Sequence, residues 1–225
     1  TVTISPIASI APSASVLGDS AYITWAAPTT GNTGTLTGTL PVTKYEIRKG
    51  GTSWGSATTV DITQALTSTV LINTPGNQIY RVSAYDRQPI VDTTGTAFTL
   101  SIAMPNGVTA LTSTVVDNNV SLRWAKPTIP GTGLPIAAYE IRKGASWATG
   151  TSLGRVGTGA EFKSILESVG GTFTYWVKAI DTAENFTLDA NVASITAVVA
   201  QPPDYILNTA WTSVFSPNAG VYVAS

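Results

Sequence analysis

The chain of 225 residues contains no cysteine and no histidine, and both absences restrict its chemistry. Without cysteine it forms no disulfide bond, and without either residue type it has no zinc site of the ordinary kind. A serine or cysteine nucleophile that relies on histidine as its base is excluded as well. Only a catalytic site built from carboxylates or lysine therefore remains open.

Charge is also scarce, because charged residues make up only 11% of the chain, about half the share in ordinary globular domains. The 12 basic and 13 acidic residues leave a net charge of −1, so no basic surface of the kind that binds nucleic acid is expected. No apolar run reaches the roughly 18 residues that a membrane-spanning helix needs. We therefore expect neither nucleic-acid binding nor membrane insertion.

The strongest positive signal is an internal repeat. The hexapeptide YEIRKG begins at Tyr45 and again at Tyr139, which lies 94 residues further along the chain. Trp25 and Trp124 precede these segments in ITWAAPT and LRWAKPT, and YRVSAYD and YWVKAID follow them in the same order. A repeating unit of this length is typical of an independent sandwich domain and is too long for a solenoid repeat.

Within each unit the apolar residues alternate with a period of two. Tyr45 and Ile47 share one face of a strand, and Glu46 and Arg48 share the other. Such alternation predicts antiparallel strands with one face on a core and one towards solvent. The stretch over residues 160–169 has helical composition, but the repeat demands a strand there, so we predict a strand. The fold class is therefore all-β, with two tandem β-sandwiches.

The repeat also sets the domain limits. We assign residues 1–103 to the first sandwich, module 1, and residues 104–200 to the second, module 2, with MPNG at the join. A third segment, residues 201–225, carries Pro202 and Pro203 directly after its first residue and is apolar, and it does not resemble the repeat.

The third segment carries too many large apolar side chains for a solvated chain end. Leaving Tyr205, Trp211 and Phe215 exposed would forgo about 1.5–3 kcal/mol of burial for each of them. Either the segment packs on a neighbouring chain or it begins a further domain. We predict that these three residues contact a partner.

The repeated blocks carry a family likeness. A tryptophan in an early strand, then Tyr-x-Ile, then Tyr-x-Val-x-Ala-x-Asp, resembles the fibronectin type III fold. The resemblance implies that Trp25 and Trp124 are the core tryptophans of the two modules and that Tyr80 and Tyr175 open the sixth strand of each. It does not imply one function, because this sandwich carries many functions.

A narrower likeness concerns YEIRKGASW, FTYWVKAIDTAENF and QPPDYIL. These segments resemble the sandwich modules of tail-tip and tail-fibre proteins of bacteriophages and related gene-transfer particles. Module 1 departs from that pattern, because DRQPIVDTTG replaces the usual Asp-x-x-Gly-Asn turn.

The narrower resemblance implies a structural or adhesion component of a phage tail, acting as spacer, decoration or host-attachment module. It also implies location in the virion or outside the cell, other tail or surface subunits as partners, and a symmetric homo-oligomer. A cell-surface glycan or receptor is a further candidate partner. The alternative is a spacer module in a secreted or surface-attached bacterial enzyme or adhesin. We expect no enzymatic activity of the chain itself, because its carboxylates are scattered and a sandwich of this size offers no deep cleft.

Two aromatic residues are candidates for partner contact. Trp54 and Trp147 each follow a YEIRKG strand, and an exposed aromatic there would stack on a sugar or pack against a partner. The alternative, which we favour, is that each covers the edge of its own sandwich. The basic pairs that precede them are expected to face solvent or to pair with Glu46 and Glu140.

One loop is a candidate for calcium binding, since calcium takes oxygen ligands. DTAEN at residues 181–185 contains two carboxylates, which is fewer than such loops usually carry. We favour an ordinary turn, and we predict no metal site, no cofactor and no catalytic residue.

Overall fold

The computed structural model describes residues 10–28, 42–85 and 95–201, and these contain fourteen strands, one short 3-10 turn and no α-helix. Within these ranges no helix is long and apolar enough to cross a membrane. The strands of module 1 are β1 Ser13–Leu17, β2 Ser20–Thr24, β3 Lys44–Lys49, β4 Thr58–Thr63, β5 Thr67–Leu71, β6 Gln78–Tyr85 and β7 Thr96–Leu100. Those of module 2 are β8 Thr109–Val116, β9 Asn119–Ala125, β10 Ile136–Lys143, β11 Thr151–Gly157, β12 Phe162–Leu166, β13 Gly171–Asp181 and β14 Ala193–Val199.

Each module is a sandwich of a three-stranded and a four-stranded antiparallel sheet. The sheets of module 1 have the orders β1-β2-β5 and β4-β3-β6-β7. Those of module 2 have the orders β8-β9-β12 and β11-β10-β13-β14, so each strand has a counterpart seven strands later. The all-β class and the tandem sandwiches that the repeat predicts are confirmed. The stretch with helical composition forms β12, as the repeat requires.

The core of each module lies between its two sheets. Trp25 meets Tyr45 edge-on with ring centroids 5.3 Å apart, and Trp124 meets Tyr139 in the same way at 5.3 Å. All four side chains are buried, as the family likeness implies for the tryptophans. Burying each large apolar side chain contributes about 1.5–3 kcal/mol, so these repeated contacts account for much of the stability of each sandwich.

The expectation of one solvent-facing side is wrong for the central strands of the four-stranded sheets. Glu46 of β3 and Glu140 of β10 are each only 6% exposed, and Arg81 of β6 is buried as well. The reason is a loop that folds back over this face in each module and places a tryptophan on it. The outer face is therefore a second, polar packing layer.

Candidate functional site

Trp54 lies in the loop between β3 and β4 and is only 6% exposed. The guanidinium carbon of Arg48 stands 4.4 Å from the ring centroid, and Arg48 Nη1 donates to the Trp54 carbonyl at 2.8 Å. Gly95 packs against the ring of Trp54. A Cβ added at Gly95 would lie 2.3 Å from a ring carbon, so only glycine fits there. The ring is thus packed against its own module, which is the arrangement favoured above, and little of it is left for a partner.

Trp147 occupies the equivalent loop of module 2 and is half-buried. The Arg142 guanidinium carbon lies 4.5 Å from its ring centroid and Lys178 Nζ lies 4.8 Å from it. Arg142 also donates to the Trp147 carbonyl at 3.2 Å. Because part of the ring stays accessible, its contact with a partner remains a prediction.

The other predicted contact residues, Tyr205, Trp211 and Phe215, lie outside the described residues.

The buried glutamate of module 1 is held by three donors. Glu46 accepts hydrogen bonds from Arg48 Nε at 2.7 Å, from the Thr59 hydroxyl at 2.5 Å and from the Tyr85 hydroxyl. Burial by itself would raise the pKa of Glu46, but these hydrogen bonds outweigh it and keep the pKa below its ordinary value. A carboxylate saturated in this way anchors structure and is not free to act as a base.

Module 2 contains a second buried glutamate in its core. Glu167 accepts from the Tyr175 hydroxyl and from Lys143 Nζ, each at 2.7 Å. Burial alone would raise the pKa of Glu167, but the bonds from Lys143 and Tyr175 hold it below its ordinary value. Burial and the same glutamate raise the pKa of Tyr175.

Module 1 lacks the hydrogen-bonded group that Glu167 forms with Lys143 and Tyr175. Ile72 occupies the position of Glu167, one residue beyond the strand that pairs with β2. Among the described residues the buried Tyr80 hydroxyl has no hydrogen-bond partner, and burial raises the pKa of Tyr80 to about 12. Lys49 turns instead to Asn73 Oδ1 and Thr74 Oγ1, both at 3.3 Å.

The DTAEN segment forms a tight turn around a wholly buried carboxylate. Asp181 accepts the backbone N–H groups of Ala183 and Asn185, each at 2.9 Å, and the Asn185 side-chain amide at 2.7 Å. These three donors occupy its oxygens, which is the turn that the sequence analysis favoured over a calcium loop. Across the described residues no cluster of three or more acidic side chains is placed to hold a metal ion.

This turn also joins the two modules. Asn185 Oδ1 accepts the backbone N–H of Gly76, which lies in the loop between β5 and β6 of module 1, at 2.7 Å. Asn185 is buried and its side-chain amide also donates to Asp181, so a contact within module 2 orients the acceptor. We call this arrangement of Asp181, Asn185 and Gly76 the junction latch.

A second contact lies beside the junction latch. The Ala103 N–H donates to the Thr132 carbonyl at 3.2 Å, and Ala103 forms a parallel bridge with Gly133. Leu134 and Ala183 of module 2 are buried within the apolar cluster of module 1. The two sandwiches therefore meet through a packed, hydrogen-bonded surface.

Comparison with known proteins leaves the family of this chain open. No family model matches the chain. Exoglucanase B of Cellulomonas fimi is 27% identical over 171 residues, which cover 72% of this chain and 15% of that enzyme. The chain thus corresponds to only 15% of the length of this relative.

The chain also matches two solved structures, both at low sequence identity. The chain is 12% identical to the Clostridium perfringens spore cortex lytic enzyme SleM, with a TM-score of 0.35, covering 51% of this chain and 36% of that one. It is also 12% identical to the central fibronectin-III array of RIM-binding protein, with a TM-score of 0.30, covering 87% and 70%. The sheet orders of the two modules, three strands facing four in each, make the fold fibronectin type III-like.

Sequence reasoning missed the residues that matter most in these fibronectin type III-like modules. From the sequence, the segment of the junction latch is only a turn or a calcium loop, and Glu167 is only one of the scattered carboxylates. One available signal was asymmetry within the repeat, since module 2 has Asp-x-x-x-Asn where module 1 has DRQPIVDTTG. A second was Glu167 itself, which stands where module 1 carries Ile72 in its core.

Proposed function

We propose that the chain is a non-catalytic spacer that holds two fibronectin type III-like modules at a fixed orientation. The observation that carries the proposal is the junction latch, in which Asn185, braced by Asp181, accepts the Gly76 N–H at 2.7 Å. Open linkers between domains leave their relative motion free, whereas a packed and hydrogen-bonded surface opposes it. A rigid joint serves a part whose task is to set distance and direction.

The use of the buried carboxylates supports a non-catalytic role. Glu46, Glu140 and Glu167 each lie within 2.7 Å of an arginine or lysine nitrogen, and Asp181 is filled by N–H donors. General bases need a lone pair directed at a substrate, within about 3 Å of the proton they take. The chain has no histidine or cysteine that could serve as base or nucleophile instead. The buried carboxylates therefore stabilise the fold.

Two settings fit such a spacer. The likeness to Exoglucanase B favours a secreted or surface-attached bacterial protein, in which the modules separate other domains outside the cell. The sequence blocks YEIRKGASW, FTYWVKAIDTAENF and QPPDYIL support the other setting, a structural or host-attachment component of a phage tail. In the second setting the partners are tail subunits or a cell-surface receptor or glycan, with Trp147 as the accessible aromatic.

Residual dipolar couplings test the fixed orientation. For the wild-type chain we expect one alignment tensor to fit the amides of both modules. In Asn185→Ala the tensors of the two modules should diverge, because the latch is lost. The control is Asn119→Ala, which removes an amide that accepts from Ser164 at 2.6 Å inside module 2, away from the junction. Two different tensors in the wild-type chain would refute the rigid spacer.

Sedimentation distinguishes the two settings. A spacer in a secreted protein is expected to sediment as a monomer at all accessible concentrations. A tail component is expected to form closed, symmetric assemblies with other copies of the chain, since particle tails are built around an axis.

A further inference from the structure

The end of module 2 that faces away from module 1 exposes apolar side chains around a shallow groove. Val116 and Leu166 are 69% and 79% exposed, and Val169 in the neighbouring loop is also exposed. The groove is completed by the turn between β8 and β9 and by Ala200 and Gln201. We call this surface the exit end of module 2, because the chain leaves the module there.

The exit end of module 1 is the surface on which module 2 sits. Its contacts are made by Gly76, which donates to Asn185, and by Ala103, which donates to Thr132. The repeat places Gly171 and Ala200 at the corresponding positions of module 2, and a proline follows each alanine two residues later. The chain therefore leaves both modules along the same path.

The two exit ends both expose apolar side chains, Leu17 and Leu71 in module 1 and Val116 and Leu166 in module 2, and they differ at one further position. Val169 stands where module 1 has Thr74 in the same loop. Next to it, a Cβ at Gly170 would lie 2.4 Å from Gln201 Cα, so the loop is pressed against the departing chain. The apolar side chains thus border the point where the next residues emerge.

We propose that residues 204–225 of the same chain dock on the exit end of module 2. This segment supplies large apolar side chains to match the exposed ones, among them Tyr205, Trp211 and Phe215. It starts within three residues of Gln201, and a short tether gives an effective concentration in the millimolar range. Exposed apolar patches of this kind normally mark an interface. The proposal holds whether or not the chain acts as a spacer.

Amide hydrogen exchange of the full chain tests the docking. In the wild-type chain the amides of residues 204–225 should exchange at least about tenfold more slowly than in an unstructured peptide. In Leu166→Asp this protection should fall to the unstructured rate, because a carboxylate is placed in the apolar groove. Val169→Thr, which copies the residue of module 1, should reduce the protection in part.

The matched control is Leu71→Asp, the same strand position in module 1, where leucine is 54% exposed while module 2 is in place. It should leave the exchange of residues 204–225 unchanged, and unchanged protection of β9 and β13 shows that each variant is folded. Exchange at the unstructured rate in the wild-type chain overturns the proposal. Protection of residues 204–225 that is unchanged in Leu166→Asp overturns the proposal too. Protection that rises with protein concentration also overturns it, since the occupant is then a second copy of the chain.

Discussion

The hydroxyl group of Tyr175 should stabilise its module and that of Tyr80 should not, although both tyrosines are wholly buried at equivalent positions of the two modules. Tyr175 donates to Glu167 at 2.7 Å, whereas the Tyr80 hydroxyl has no partner among the described residues. Replacing each tyrosine with phenylalanine removes one oxygen and leaves the ring in place. The pair therefore isolates the contribution of a single buried hydroxyl group.

The expected magnitudes follow from the partner that each hydroxyl has. A hydrogen bond to a charged group contributes about 1.5–3 kcal/mol, so Tyr175→Phe should destabilise module 2 by about that amount. The Glu167 carboxylate keeps Lys143 as a partner at 2.7 Å, which places the loss towards the lower end of the range. A buried hydroxyl without a partner costs free energy, so Tyr80→Phe should leave module 1 unchanged or stabilise it by about 1 kcal/mol.

The assay must report each module separately, since a chain of two modules need not unfold in one step. Amide exchange measured over a series of urea concentrations does so, with β13 reporting module 2 and β6 reporting module 1. Equal losses of stability in the two variants would refute the reasoning, and so would a larger loss for Tyr80→Phe than for Tyr175→Phe.

Three further outcomes are expected. Trp124→Ala should cost about 3–5 kcal/mol in a denaturant titration, and a loss below about 1 kcal/mol would show that the core is misplaced. The folded state holds the pKa of Glu167 below its ordinary value of 4.5, so its contribution is complete above that pH and is lost as the pH falls through the folded value. Glu167→Gln should flatten this acid loss in module 2 alone, as followed by thermal unfolding between about pH 2 and 6, which spans the ordinary glutamate pKa and the range below it. Chelator or calcium should leave the melting temperature unchanged, because Asp181 is filled by N–H donors, and a calcium-dependent rise of several degrees would contradict that assignment.

The sandwiches can be predicted from the sequence because a strand that packs on a core has a local pattern of alternating apolar and polar residues. Alternation with a period of two marks which residues of a strand face the core, and a one-residue error would turn every side chain to the wrong face. The recurrence of Trp25 and Tyr45 at Trp124 and Tyr139 then confirms the pattern independently. Both aromatic pairs meet edge-on at 5.3 Å in the structure.

The burial of the outer polar layer cannot be predicted in the same way. Alternation indicates which face of the sheet a side chain lies on, but it does not indicate whether a loop covers that face. Glu46 lies on the outer face as predicted, yet a loop carrying Trp54 covers that face. The usable signal is the spacing of arginine and tryptophan after each YEIRKG strand, since Arg48 and Arg142 both stack on the tryptophan that follows. Pairing of the basic residues with Glu46 and Glu140 is one of the two alternatives that the sequence offers, and the structure shows it, since each arginine binds the glutamate two residues before it.

Comparison of the two modules separates contacts within a sandwich from contacts beyond it. The core tryptophans Trp25 and Trp124 are the same in both modules, and each is buried inside its own module. The latch residue Asn185 belongs to a segment that differs between the modules, and its acceptor oxygen is directed to the neighbouring sandwich. Val169, which replaces Thr74, differs in the same way and stays exposed at the exit end. These two differences lie on surfaces that face outside the module. The interiors of the two sandwiches are alike, whereas the surroundings of the two modules differ. Glu167 is the exception, because its partners Lys143 and Tyr175 lie within its own module. At this buried position module 2 has a hydrogen-bonded carboxylate, whereas module 1 has the apolar side chain of Ile72.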